Sequence, residues 1–238
     1  MRAIILAAGT GTRLHPLTER CPKCLVPIGG KAIVDYQVEA LRAHGVDDIV
    51  LVVGYEAEQV RAHFGARARY VENRDYARTN SIYSLYLARA ELSAETFLFN
   101  CDILFHPQVL GRMLGAQAGN VVAVDSQVER VAGEMNVAWT GTGQVQTINK
   151  QLTPEQAQGQ SAQLVKFDQQ GAGLVAAEVE RLIELDQRES FPTAAYGTLL
   201  TAGLLQVVEV GDLPHAEIDS LEDYEHARDC VLPRIPAC

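Results

Sequence analysis

Ala3-Ile4-Ile5-Leu6-Ala7-Ala8 is an unbroken apolar run that stops at Gly9-Thr10-Gly11-Thr12-Arg13. A strand with one wet face alternates apolar and polar residues, whereas an unbroken run reads as a strand covered on both faces. Two more runs of the same kind follow, DIVLVVG at 48–54 and TFLFNCD at 96–102. Between them lie helical patterns. Val34, Val38 and Leu41 share one face and Gly45 ends it, AEQVRAHFG is a second pattern, and Ile82, Leu85 and Tyr86 form a third, starting at Asn80. ARYVEN adds a short strand. Buried strands alternating with amphipathic helices predict an α/β fold, a mostly parallel sheet sandwiched by helices.

After about residue 125 the pattern changes. EMNVAW, QVQTINK and AQLVKF read as shorter strands joined by polar loops. A helix is expected near Val175–Leu185, strands at LLQVVEV and HAEID, and a last helix from Leu221. There is no internal repeat and no linker-like tract.

The formal charge of −10 argues against a nucleic-acid partner held by a basic face. No run of about 18 apolar residues occurs, so no membrane-spanning helix is expected. The N-terminal run is too short for a signal peptide, which makes a cytoplasmic location the expectation. Five cysteines, an odd number, do not suggest a disulfide framework. Against the acidic background, residues 9–31 carry Arg13, Arg20, Lys23 and Lys31 with only Glu19 opposing them, a local surplus suited to an anion.

Gly9-Thr10-Gly11-Thr12-Arg13 follows a buried strand, where glycines let backbone amides approach phosphate oxygens. It is not the dinucleotide fingerprint, since Leu14 stands in place of the third glycine, and GGKA at 29–32 lacks the flanking residues of a P-loop. Cys21-Pro22-Lys23-Cys24 has the C-x-x-C spacing of a zinc or redox site. No second C-x-x-C and no H-x(3–5)-H pair accompanies it, and it lies well past the first strand. The informative residue is then Lys23, between the cysteines.

The stretch AIILAAGTGTRLHPLTERCPKCLVPIGGKAIVDYQ closely resembles the signature of nucleotidyltransferases that activate sugar phosphates and phospho-alcohols, LAAG-x-G-x-R-L-x-P-L-T followed by P-K-x-L-V-P-I. The resemblance covers about 35 residues. It implies a nucleotide-diphospho-sugar transferase-like fold and a single domain over 1–238, with a nucleotide-binding half at 1–125 and an acceptor-binding half at 126–238. It also implies that Leu6, Ala8, Gly9, Thr10, Gly11 and Thr12 contact the nucleotide, while Arg13 and Lys23 hold phosphates through the transition state. Thr79-Asn80-Ser81-Ile82-Tyr83-Ser84-Leu85-Tyr86-Leu87-Ala88 resembles the corresponding segment of cytidylyltransferases for phosphocholine, 2-aminoethylphosphonate and inositol phosphate. That brings Asn80 and Ser84 to the nucleotide; Asn80 is equally a helix N-cap, and the two roles are compatible.

Asp102 ends a buried strand, at the edge where parallel sheets bind ligands. Asp219 precedes Ser220-Leu221-Glu222-Asp223, which can form a capping box without it. The resemblance implies that these two aspartates coordinate Mg²⁺. Glu134-Met135-Asn136-Val137 and Lys150 are similar to E-M-K-V and a downstream lysine in the phosphonate and phospho-alcohol branch, with Asn136 replacing the lysine. Gly159-Gln160-Ser161-Ala162-Gln163 stands where G-E-x-x-G is common. Lys150 reads either as a contact to the acceptor phosphate or as a solvated strand end. Asp125, ending NVVAVD, reads as a partner for a cationic acceptor or as a strand-end turn, and Glu134 is a second candidate for such a cation.

The implied activity is transfer of CMP from CTP to a small phosphate- or phosphonate-bearing acceptor such as choline phosphate or 2-aminoethylphosphonate, by a monomer or homodimer with Mg²⁺. A sugar-1-phosphate nucleotidyltransferase using another NTP and a non-catalytic nucleotide sensor are the alternatives.

Overall fold

The computed structural model describes residues 1–236. The first apolar run forms β1 (Arg2–Ala7), and β2 (Pro27–Ile28) and β3 (Lys31–Ala32) make a small hairpin leading into α1 (Ile33–Ala43). Then come β4 (Asp48–Val53), α2 (Ala57–Phe64), β5 (Arg69–Glu72), α3 (Ser81–Leu87), β6 (Thr96–Asn100) and β7 (Ile103–Phe105). The first half ends with α4 (Gln108–Gly115) and β8 (Asn120–Asp125), and the second supplies β9 (Asn136–Trp139), β10 (Val145–Asn149), β11 (Gly159–Phe167) and α5 (Gln169–Glu184). It closes with α6 (Gly197–Thr201), β12 (Leu205–Glu209), β13 (His215–Glu217) and α7 (Leu221–His226).

β1 lies at the centre of the sheet, parallel to β4 on one side and β6 on the other. Its residues divide by parity, because successive strand side chains point to opposite faces. Ala3, Ile5 and Ala7 pack with Val34, Val38 and Leu41 of α1, Val60 and Phe64 of α2 and Met113 of α4. Ile4 and Leu6 pack with Ile82 and Leu85 of α3 and Val175 and Val179 of α5. Two helical layers therefore claim both faces, and no alternation appears in the sequence.

The sheet is mixed. β4 and β5, and β8 and β12, pair in parallel, while β11 runs antiparallel to β6, β8 and β9. β11 is the joint between the halves: its end at Leu164–Phe167 pairs with β6 and its start at Gly159–Gln160 with β9. α5 begins at Gln169, earlier than its apolar spacing indicates, because the Asp168 side chain accepts from the Gly171 N–H at 2.7 Å and starts the helix there. β7, which the sequence pattern did not reveal, pairs antiparallel with β13.

Candidate nucleotide and metal site

The carboxyl ends of β1 and β6 open onto a cavity of about 420 Å³. Its floor is the glycine loop. Gly11 adopts φ 64°, in the left-handed region, and a Cβ there would come 3.1 Å from Lys23 Cβ and 3.2 Å from Thr18 Cγ2. Glycine thus meets both a backbone need and a packing need. Thr18 Oγ1 donates to Gly11 O at 2.7 Å and closes the loop.

Beyond the loop, a short turn over Lys23–Leu25 inserts two side chains in opposite directions. Cys24, 1% exposed, goes into the core between sheet and helices, and Lys23 goes into the cavity. Burial pushes the Cys21 thiol up, and contact with Cys24 together with burial pushes Cys101 up further. Protonated, apolar-facing thiols are poor zinc ligands and poor nucleophiles.

The β7–β13 ladder joins the middle of the chain to a segment more than 100 residues later. It pairs Glu217 with Ile103, and the Ile218 N–H donates to Asp102 O at 2.9 Å, which sets Asp219 beside Asp102. Lys23 Nζ donates to Asp102 Oδ2 at 2.6 Å and also to Asp219 Oδ1. Arg13 Nη2 donates to Asp219 Oδ2 at 2.7 Å. The Ser220–Asp223 capping box forms as its spacing indicates, and Asp223 also accepts from the Asp219 N–H at 3.0 Å. Asp219's own side chain is left for the two basic groups.

Glu217 completes the group. It was not singled out in the sequence, although Glu217 and Asp219 flank Ile218, which is fully buried, in the i, i+2 relation that sends two side chains the same way. Ligand oxygens of Asp102, Glu217 and Asp219 lie within 4.8 Å of one another, the one such group of three among the described residues. Burial, then the charges of Asp102 and Asp219, push the Glu217 carboxyl up to about 7. Burial would lower the Lys23 pKa, but Asp102 and Asp219 outweigh it and hold the ammonium above the ordinary lysine range. Burial would likewise raise Asp219, but Lys23 and then Arg13 outweigh it and hold that carboxyl below the usual range. Asp102 Oδ1 is buried and has no hydrogen-bond partner. Three converging carboxylates with an orphaned oxygen fit a hard divalent cation such as Mg²⁺.

The other end of the cavity lies against α3. Asn80 caps the helix, accepting from the Ser81 N–H at 2.7 Å. Ser84 is buried and accepts from Asn73 Nδ2 at 3.0 Å, while Asn73 Oδ1 accepts from the Asp75 N–H at 2.9 Å. Leu6, Ala8, Gly9, Thr10 and Thr12 also line the cavity. On the side of the second half, Lys150 Nζ stands 5.2 Å over the Phe191 ring. Gln163, at φ 63° where β11 shifts register against β8, extends its Nε2 to 3.4 Å from Glu217 Oε2.

Two residues expected near an acceptor stand elsewhere. Asp125 Oδ1 accepts from the N–H groups of Gln127 and Val128 at 2.7 and 3.0 Å, so it makes the strand-end turn and does not line the cavity. Glu134 is exposed on the adjoining loop, also outside the cavity lining. Asn136 is fully buried and ties that loop down, donating to Val131 O and Leu152 O at 2.9 Å each.

Known proteins resemble this chain in sequence and in fold. Residues 105 long in alignment are 46% identical to the choline-phosphate cytidylyltransferase of Streptococcus pneumoniae, covering 43% of this chain and 44% of that protein. A CMP-5'-(3-aminopropyl)phosphonate synthase of Streptomyces rubellomurinus is 38% identical over 138 residues, covering 56% of this chain and 22% of that protein. The aligned region thus spans less than half the length of these two relatives. The solved structure of the CTP:phosphocholine cytidylyltransferase from Streptococcus pneumoniae superposes with a TM-score of 0.80 at 26% identity, over 96% of this chain and 97% of that one. The inositol-1-phosphate CTP transferase of T. maritima shares the fold, with a TM-score of 0.76 at 24% identity over 99% and 98% of the two chains. Residues 3–189 match the family model described as the MobA-like NTP transferase domain. With that match over most of its length, on a nucleotide-diphospho-sugar transferase-like fold, the chain belongs to this family of nucleotidyltransferases.

Proposed function

We propose that this chain is a Mg²⁺-dependent cytidylyltransferase that transfers CMP from CTP to a small acceptor bearing a terminal phosphate or phosphonate. An acceptor oxygen forms a bond to the α-phosphorus while the bond from that phosphorus to the bridging oxygen breaks, and pyrophosphate leaves. The acceptor oxyanion is already nucleophilic, so no general base is required. The carrying observation is the convergence of Arg13, Lys23, Asp102, Glu217 and Asp219 at one end of a cavity whose floor is the glycine loop. The likeness to cytidylyltransferases supports the choice of nucleotide.

In this reading the backbone amides of Gly9 to Thr12 receive the phosphates. Arg13, whose side chain is 72% exposed, reaches toward the leaving pyrophosphate, and Lys23 offsets charge nearer the reacting phosphorus. Asp102 and Asp219 would hold Mg²⁺, with Glu217 beside them, and the bound ion would neutralise charge on phosphate oxygens. Asn73, Asn80 and Ser84 form the polar wall for the base. Lys150 leaves the Phe191 face for the acceptor phosphate. All 238 residues act as one catalytic unit, the first half for nucleotide and the second for acceptor.

The test is a pyrophosphate-release screen crossing CTP, UTP, ATP and GTP with choline phosphate, 2-aminoethylphosphonate, inositol phosphate and hexose 1-phosphates. CTP is expected to be preferred over UTP by about 5–150-fold in kcat/KM, the effect of leaving a buried acceptor unpaired, about 1–3 kcal/mol. Preference for a hexose 1-phosphate with another nucleotide would move the chain to the sugar branch. Nucleotide binding without pyrophosphate release from any acceptor would make it a sensor.

A further inference from the structure

The cation that stands among the carboxylates is the protein's own. Lys23 Nζ lies 2.6 Å from Asp102 Oδ2 and bonds Asp219 Oδ1 as well, so one ammonium spans both aspartates. Its side chain is 10% exposed, and solvent offers it little competition. A divalent ion held by the same two residues would lie against carboxylates that the ammonium already bonds, since of their four oxygens only Asp102 Oδ1 is without a partner. Two cations cannot share them in a poorly solvated pocket without strong repulsion. Lys23 has somewhere else to go, since its side chain lines the same cavity as Gly9 to Thr12, within the space a triphosphate would fill. A four-carbon stem with three rotatable donors suits such a transfer. Arg13, by contrast, bonds the outer oxygen of Asp219 alone and leaves Asp102 untouched.

We infer that Lys23 is a placeholder cation: in the free protein it occupies the metal site between Asp102 and Asp219, and it vacates that site when the phosphates of a nucleoside triphosphate take its ammonium. Nucleotide and divalent cation then bind with positive coupling, and the coupling is reciprocal. This inference rests on the metal-dependent reading above and adds the order in which the site is assembled. It also gives Lys23 a second task beside phosphate binding, as a guard against loading by metal alone.

The test is titration of Mn²⁺ into the nucleotide-free protein, followed by electron paramagnetic resonance of the free ion. The wild type should bind weakly, and Lys23→Met should bind about tenfold or more tightly, within the usual range of site-to-site coupling. Lys23→Gln is a second neutral variant, and circular dichroism confirms that each is folded. Lys23→Arg, which keeps a cation, should stay as weak as the wild type. Adding Asp219→Asn to Lys23→Met should remove the gain, which locates the ion at these carboxylates. A non-hydrolysable CTP analogue should tighten Mn²⁺ binding more in the wild type than in Lys23→Met, a difference in which metal chelation by the nucleotide itself cancels. Equal Mn²⁺ affinity in wild type and both neutral variants, with turnover that a chelator abolishes, would overturn the placeholder role alone. Turnover undiminished by a chelator would instead overturn the metal-dependent reading beneath it.

Discussion

Replacing Asp102 and Asp219 by asparagine, singly and together, separates a shared role from two independent ones. Asparagine keeps the shape of the side chain and removes its charge. The backbone contacts that build the corner survive: Ile218 N–H to Asp102 O at 2.9 Å and Asp219 N–H to Asp223 Oδ2 at 3.0 Å do not involve the altered groups. In each single variant Lys23 keeps one carboxylate, so the stability loss should be about 1.5–3 kcal/mol, one buried charge-assisted hydrogen bond, and Asp219→Asn also weakens the exposed Arg13 pair, which adds at most about 1 kcal/mol. In the double variant the buried ammonium loses both, and the loss should reach about 3–5 kcal/mol. Urea unfolding measures these values and confirms that the variants fold. Turnover should behave differently. Each single change should lower kcat by ~10²–10³, about 2.7–4 kcal/mol of transition-state stabilisation. If both carboxylates serve one ion, the double variant should be little worse than the poorer single. A double variant whose kcat falls by the product of the two single effects, ~10⁴–10⁶, would refute the shared role.

Replacing Cys21 and Cys24 together by serine should leave kcat within about tenfold while lowering stability by about 1–3 kcal/mol, because Cys24 is 1% exposed in the core; stoichiometric zinc in the wild type, lost in this variant, would contradict it. Gly54→Ala should lower stability by about 1–3 kcal/mol and raise the KM for nucleotide, since its Cβ would meet Ala8 O at 2.7 Å and Asn73 O at 3.0 Å beneath the glycine loop; an unchanged melting temperature and KM would argue against a tight seat there. Asp48 bonds Arg2 at 2.7 Å and Arg69 at 2.8 Å, and although burial would raise its carboxyl, these arginines hold it below the usual range. Its contribution is therefore present above the unfolded carboxylate value and lost as pH falls through the lower folded one. Asp48→Asn should cost up to about 1 kcal/mol at pH 7 and nearly nothing at the acid end of a urea-unfolding series, so a penalty independent of pH would count against the ion pairs.

The central strands were readable because their burial is a local property of composition: Ala3 to Ala7 are apolar at every position, and both faces prove to be covered. The first turn of α5 was not readable, since Asp168-Gln169-Gln170-Gly171 has no apolar spacing and its start depends on one capping contact. Among the candidate site residues, the structure gathers Arg13, Lys23, Asp102 and Asp219 into one corner. Asp125 shows the opposite limit. An acid after a strand looks the same in sequence whether it faces a ligand or accepts from the next two or three amides, and here it does the latter. Glu217 had a usable signal in its alternation with Asp219, but its place beside Asp102 follows from the pairing of β13 with β7, two strands of three residues each. The left-handed backbone of Gln163 had none, because it arises from a register shift against a strand some forty residues earlier in the chain.

Lys23 and Asp219 are separated by 196 positions and Arg13 and Asp219 by 206, whereas Lys23 and Asp102 are separated by only 79. During synthesis at about 5–20 residues per second, roughly 10–40 s pass between the emergence of Lys23 and that of Asp219. A nascent chain long enough to fold β1, β4 and β6 with their helices can already bring Lys23 to Asp102, but it lacks the second aspartate. Pairings of such long separation also form late in folding, after the entropy of closing the intervening chain has been met. Translation intermediates are therefore expected to be inert toward metal and nucleotide, and competence should arrive in one step when the β13 segment docks on β7.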